Sequence, residues 1–254
     1  MRYKQARQDA LPYPRLLPWV LPVLIGAASW CNARYWANHY LSMGVTLCLA
    51  DCACFSQQAS LLPPFVVPLL LFYSGARRTG VYSGRHMYRY ASRGTWWRAQ
   101  CMEALKAAVY GGGIVLTFSV LPGMMRGKPL TAVNWGGVNS LFALMTGNPL
   151  QRETSLPAVL LACGAAVCLQ VWAHLLLYQI LACRLRPLAA FAIVAVTGMA
   201  CGSPVWHPVW DAASLSYRCW AEPFGAAGLL VCWMAISAAL CGVGYGVCRK
   251  VDVL

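Results

Sequence analysis

Three cysteines in the run CLADCAC, namely Cys48, Cys52 and Cys54, form a local group whose side chains could bind a metal ion. Structural zinc sites usually pair their cysteines as C-x-x-C and add histidine partners. This run lacks both features, and most of the other cysteines lie inside apolar stretches. We therefore expect no metal site, and we expect the cysteines to act mainly as small apolar side chains. If these cysteines face an oxidising compartment, one disulfide within the group is an alternative.

Nucleotide and hydrolase chemistry lack a recognisable motif. Gly123 and Gly127-Lys128 have the wrong spacing for a phosphate-binding loop, and no Ser or Thr follows Lys128. The 7 Asp and Glu residues are scattered along the chain, without a usable pair or a Ser/His/Asp set. We therefore expect a non-catalytic chain that binds no cofactor itself.

A third pattern places Gln170, His174 and Tyr178 four residues apart, on one face of a helix. Polar side chains at membrane depth usually face protein or water. They could form hydrogen bonds between helices, or they could line a translocation path or a dimer contact.

The elements that position these residues follow from composition. The chain has 254 residues, of which 59% are hydrophobic and 11% are charged. In soluble domains, about 45–50% of the residues are apolar and about 25% are charged. This indicates an all-α integral membrane protein, which we treat as one domain over residues 1–254. Six apolar stretches are compatible with membrane spans of about 20 residues, at 16–31, 59–75, 107–121, 156–183, 188–202 and 225–247.

The net charge of +13 could indicate nucleic-acid binding or a membrane topology. Six spans would place fifteen of the 20 Lys and Arg residues on one side and five on the other. Basic residues accumulate on the cytoplasmic side of membrane proteins. We therefore expect both termini in the cytoplasm and no nucleic-acid partner.

The loop at 76–106, between spans two and three, is the most polar part of the chain. After Gly94-Thr95, the residues Trp97, Cys101, Leu105 and Ala108 form an apolar stripe. This pattern predicts an amphipathic helix that lies in the membrane interface and then turns into span three. The loop could simply fix topology, or it could dock a soluble partner.

The run from Met87 to Trp97, MYRYASRGTWW, resembles a signature of the small type-2 ABC transporter permeases. In that family the signature also follows span two. The ending CRKVDV, a basic pair and an aspartate after span six, is similar to the family's usual ending.

The resemblance implies a bacterial permease subunit in the cell membrane that exports a peptide, drug or lipid-like substrate. ATP and Mg²⁺ would bind to two copies of a partner ATPase, and a second permease copy or a homologous permease would complete the pore among membrane lipids. It also implies that the first cytoplasmic loop couples ATPase closure to the spans, through Arg89, Arg93, Trp96, Trp97, Arg98 and Glu103.

The segment between spans five and six is rich in aromatic residues, including Trp206, Trp210 and Trp220. Such residues often anchor a protein at the membrane interface. In type-2 permeases this position holds re-entrant helices, so the resemblance implies an external gate formed by these tryptophans.

Two other classes of function stay open. A scaffold or immunity protein would bind its target without transport, and a membrane enzyme would need intramembrane acid, His or Cys ligands.

Overall fold

The computed structural model describes residues 17–78, 92–125, 130–201 and 207–249. The described residues are helical apart from turns, connecting segments and two isolated β-bridges. The helices are α1 (Leu17–Ser42), α2 (Leu49–Cys54), α3 (Val67–Arg78), α4 (Arg93–Met124), α5 (Leu141–Thr146), α6 (Leu156–Ala182), α7 (Pro187–Cys201), α8 (His207–Ala213), α9 (Tyr217–Ala221) and α10 (Gly225–Arg249). The predicted all-α class is confirmed.

Three of the described helices, α4, α6 and α10, are long and apolar enough to cross a membrane. At 1.5 Å per residue they extend about 37–48 Å, against a hydrocarbon layer of about 30 Å. They pack on one another; α1 packs against α4, α7 packs against α6, and α3 contacts α1, α4, α6 and α7. The protein is therefore consistent with a multi-pass membrane protein.

The predicted second span, 59–75, is not one straight helix. α2 continues into a 3₁₀ turn at Phe55–Gln57, and a π-helical turn at Leu62–Val66 leads into α3. The two halves, Leu49–Gln57 and Leu62–Ser74, are bent by 54° and together could form a broken span or a re-entrant loop. Pro63 and Pro64 lie beside the break, and proline removes a backbone donor that a straight helix needs.

Two further predicted spans are not confirmed. α1 is 26 residues long and continues well past the predicted end at residue 31, but Arg34 and the polar residues of its second half leave its hydropathy too low. α7 is apolar but has 15 residues, so it extends about 22 Å and falls short of the hydrocarbon thickness.

The helix predicted after Gly94-Thr95 is present, but the turn predicted between it and span three is wrong. α4 is one continuous helix of 32 residues, and its start is capped by the Ser92 side chain, which accepts from Thr95 N at 3.1 Å. The three glycines at 111–113 do not interrupt it. A Cβ at Gly111 would meet Leu70 of α3, and a Cβ at Gly112 would meet Cys168 of α6. These two glycines therefore permit close packing of α4 on α3 and α6.

Candidate functional site

Two regions at opposite ends of the α4–α6–α10 bundle contain the candidate functional residues. The first, here called the inner junction, joins the start of α4 to the ends of α6 and α10 and includes Arg93, Trp97, Cys183, Gly244 and Arg249. The second, the outer cap, is formed by α2, α5, α8, α9 and the segment 130–155. The names follow the predicted topology, in which the basic loop is cytoplasmic.

At the inner junction, Trp97 is 2% exposed and its ring lies directly over Gly244 of α10. Any Cβ at position 244 would overlap that ring, so this glycine provides the space that the tryptophan occupies. The Trp97 Nε1–H donates to the Cys241 carbonyl at 2.8 Å. The indole therefore joins α4 to α10 by both packing and a hydrogen bond.

Two more hydrogen bonds hold α4 to its neighbours, one to α10 and one to α6. Arg93 Nη1 donates to the Arg249 carbonyl at 2.7 Å, at the C-terminal end of α10. A cation suits this position because the last carbonyls of a helix carry partial negative charge. Trp172 of α6 donates from Nε1 to the Cys101 carbonyl at 3.2 Å, which ties α6 to α4.

The residues predicted to couple to an ATPase are therefore in different environments. Trp96 and Trp97 are buried within the chain, so their rings are not available to a partner in this conformation. Arg98 and Glu103 are exposed, and Glu103 forms an ion pair with Lys106 at 2.8 Å. Arg89 lies outside the described residues.

The predicted translocation-path residues lie in the interior of the bundle. Gln170 and Tyr178 are buried, and His174 is half-buried. Gln170 Nε2 donates to the Ala213 carbonyl at 3.1 Å, and His174 Nδ1 lies 2.7 Å from the Gln170 carbonyl. None of the three lines the cavity between α1 and the α8–α9 segment described below.

The outer cap is built around Asp51, which is fully buried. Its Oδ1 accepts from Trp135 Nε1 at 2.8 Å and from the Tyr217 hydroxyl at 3.0 Å. Its Oδ2 accepts from Cys48 N at 2.8 Å and from the Cys48 thiol at 3.2 Å. Burial raises the pKa of the Tyr217 hydroxyl well above its ordinary value, so this group stays a donor to the carboxyl.

The carboxyl of Asp51 joins three separate parts of the chain, because its partners come from α2, from the 130–140 segment and from α9. Trp135 also stacks with Phe142 and contacts Tyr217 and Trp220 through their rings, at centroid distances of 5.3–6.0 Å. Sequence reasoning missed Asp51, although an acid in an apolar stretch was a usable signal, since such a group is costly to bury without partners.

The cysteines around Asp51 do not converge. The Cys48 sulfur contacts Asp51, that of Cys52 lies toward Gly123 of α4, and the Cys54 thiol lies beside the Cys163 thiol of α6. Across the described part of the chain, no group of three or more potential ligands could hold a metal ion.

Two of the three predicted gate tryptophans, Trp210 and Trp220, belong to the packed interior of the cap. Trp210 is buried and donates from Nε1 to the Gln57 carbonyl at 2.9 Å, at the break between α2 and α3. Trp220 is buried in the aromatic cluster. Trp206 lies outside the described residues. The segment between α7 and α10 does contain two short helices, α8 and α9, but a re-entrant position for them is not confirmed.

A cavity of about 680 Å³ opens between α1, the broken helix and the α8–α9 segment. Its walls combine aromatic rings, amide groups and three charged side chains, the residues being Trp36, Tyr40, Gln57, Gln58, Asp211, Arg218 and Glu222 among others. Ligand sites typically have about 300–1,000 Å³ and a few polar groups among apolar ones. This cavity can therefore accommodate a small amphipathic molecule or part of a larger one.

The chain was compared with protein-family models, with curated proteins and with solved structures. No match was found in any of the three comparisons. The interpretation of both regions therefore depends on their own geometry.

Proposed function

We propose that the chain is the membrane-spanning subunit of an ATP-driven exporter. ATP and Mg²⁺ would bind to a separate ATPase at the cytoplasmic face, and the substrate would be a hydrophobic or amphipathic peptide, drug or lipid-like molecule. The observation that carries the proposal is the continuity of α4, which links the basic loop to the outer cap without a break.

The first step is transmission along α4. Its start is fixed to α10 by Trp97 and Arg93, and Gly123 near its end lies against Cys52 and Leu49 of the cap. A helix transmits a displacement along its axis because its backbone hydrogen bonds hold successive turns together. A partner that moves the loop would therefore move the floor of the cap.

The second step is substrate release at the outer cavity. The cavity lies beside the break at residues 58–61, where two helix halves meet at 54° and can change their angle more easily than a continuous helix. Its mixture of aromatic and charged side chains suits an amphipathic molecule better than a small inorganic ion. Closure of the broken helix on the cavity would complete the outward step.

Copurification from the native host tests this proposal. We expect an ATPase with a nucleotide-binding loop to elute with the chain in stoichiometric amount. Arg98→Glu reverses an exposed charge within the predicted loop 76–106 and should reduce ATPase recovery. Arg34→Glu, an equally drastic change on the predicted outer side, should leave it unchanged. Purification of the wild-type chain without any ATPase would contradict the proposal and favour a binding or immunity protein.

A further inference from the structure

Four cysteines at the inner junction lie in two close pairs. The Cys183 sulfur, at the end of α6, is 3.6 Å from the Cys248 sulfur of α10. The Cys101 sulfur of α4 is 3.7 Å from the Cys241 sulfur, also on α10. We propose that these pairs are a redox site, in which oxidation by a peroxide forms disulfides that lock α10 to its two neighbours.

The placement of the pairs follows from helix geometry. Cys241 and Cys248 are seven residues apart, two turns of helix, so both lie on the same side of α10. One faces α4 and the other faces the end of α6. Because a disulfide bond is about 2.05 Å long, the sulfurs in each pair need to approach by only about 1.6 Å. Side-chain rotation with a small backbone adjustment can supply that movement.

The surroundings favour pairing over other thiol chemistry. The pairs lie among Trp96, Trp97 and Leu176, whose bulk limits the approach of larger competing thiols. No set of three ligands for a metal ion is present in the described part of the chain. The predicted cytoplasmic side is a reducing compartment, in which cysteines rest as thiols and disulfides are usually transient. All 13 cysteines fall in the described ranges, and all are thiols.

Access differs between the two members of the α6–α10 pair. Cys183 is partly exposed and precedes the exposed residues Arg184 and Leu185, whereas Cys248 is 1% exposed. Cys183 is therefore the thiol that meets the oxidant, and Cys248 is the resolving thiol. Hydrogen peroxide converts the Cys183 thiol to a sulfenic acid and releases one water. The Cys248 sulfur then attacks the Cys183 sulfur, the S–S bond forms, and a second water leaves.

The lock would act on the contacts that define the inner junction. Cys248 immediately precedes Arg249, whose carbonyl accepts from Arg93, and Cys241 carries the carbonyl that accepts from Trp97. Disulfides at these positions would fix α10 against α4 and α6. With α10 fixed in this way, transport would stop. That consequence rests on the proposed function, but the oxidation itself does not.

The test uses the full chain in membranes, with the exposed Cys31 and Cys232 changed to Ser to prevent links between molecules. After exposure to hydrogen peroxide and blocking with an alkylating reagent, peptides are analysed by mass spectrometry. We expect a Cys183–Cys248 link and a Cys101–Cys241 link, both within one chain and both reversed by dithiothreitol. The thiol signals of both members of a pair should be lost in parallel.

Two variants separate a built site from general oxidation. Cys248→Ser should leave a sulfenic acid at Cys183 that a dimedone reagent labels. Cys201→Ser, on α7 and away from the pairs, should leave both links unchanged. Persistence of alkylatable thiols at all four positions under peroxide would overturn the proposal, as would links that join these cysteines to unrelated ones. Since the links are sought in a chain that retains all four cysteines, the result does not depend on the stability of the variants. Copurification of an ATPase is scored separately, so either proposal can fail alone.

Discussion

The inner junction and the outer cap are held together in different ways. At the inner junction, three side chains donate to backbone carbonyls of neighbouring helices, and one indole occupies the space left by a glycine. In the outer cap, the side chain of Asp51 joins three segments inside an aromatic cluster. Backbone carbonyls recur at every turn along one face of a helix. The side-chain hydrogen bonds of the inner junction can therefore re-form with another carbonyl after one helix slides along the other. In the cap, one buried carboxyl accepts from all three segments and has no equivalent neighbour. We therefore expect the cap to move as a unit or to lose its structure.

Loss of the Asp51 carboxyl is expected to have the largest effect. Asp51→Ala leaves the Trp135 indole N–H, the Tyr217 hydroxyl and the Cys48 backbone N–H buried without an acceptor. Each unsatisfied buried group costs about 1–3 kcal/mol, so the free energy of unfolding should fall by about 3 kcal/mol or more. Thermal unfolding in detergent, followed by tryptophan fluorescence, measures the change. Glu153→Ala, at an exposed acid, is the control, and equal effects for the two variants would refute the central role of Asp51.

Filling the glycine space at the inner junction should have the next largest effect. Gly244→Ala puts a methyl group into the Trp97 ring, and overpacking of this kind costs about 1–3 kcal/mol. Gly242→Ala is a matched control on the same helix, because nothing lies within 4 Å of its new methyl group. The unfolding temperatures of the two variants should differ, with Gly244→Ala lower. Equal temperatures would show that α4 and α10 do not pack as described.

Removal of the indole donor should have a smaller effect. Trp97→Phe keeps an aromatic ring but loses the hydrogen bond to the Cys241 carbonyl, which is worth about 1 kcal/mol, and part of the indole that covers Gly244. Hydrogen exchange of the α10 backbone near residue 241 should become faster. Trp19→Phe, at a tryptophan that is 76% exposed, should leave that exchange rate unchanged. An unchanged rate in Trp97→Phe would mean that this bond does not hold α10.

The smallest change is expected from Arg93→Ala. The cation at the C-terminal end of α10 contributes about 0.3–1 kcal/mol, and its loss should loosen only the last turn of that helix. Hydrogen exchange should accelerate near Arg249 and remain unchanged near residue 230. Acceleration along the whole of α10 would instead assign Arg93 a role in anchoring the entire helix.

Long, uniformly apolar helices were the most predictable part of the fold. The predicted spans 156–183 and 225–247 agree with α6 and α10 within about two residues, because neither run contains a Lys, Arg, Asp or Glu. The continuity of α4 from residue 93 into span three and the extension of α1 were missed because both stretches carry aromatic and charged residues. Such residues resemble a loop until their tertiary partners are known.

The candidate site was harder to predict because its contacts join distant parts of the chain. Trp97 is 144 residues from the carbonyl that it binds, and a tryptophan near a basic loop is equally typical of a membrane interface. The small residues Ala238, Gly242 and Gly246 recur every four residues, a pattern that favours close packing along one ridge of α10. In the structure those three positions are exposed, and Gly244, on another side of the helix, receives the partner.

The uninterrupted course of α4 has a mechanical consequence. The 26 helical steps from Trp97 to Gly123 make an arm of about 39 Å, so a tilt of about 5° around the Trp97 end would carry the Gly123 end sideways by about 3 Å. A Cβ at Gly123 would lie only 2.9 Å from the Cys52 sulfur, so this end of α4 is already in close contact with α2. The tilt would therefore push α2 directly, and the angle at residues 58–61 is where the displacement would be absorbed.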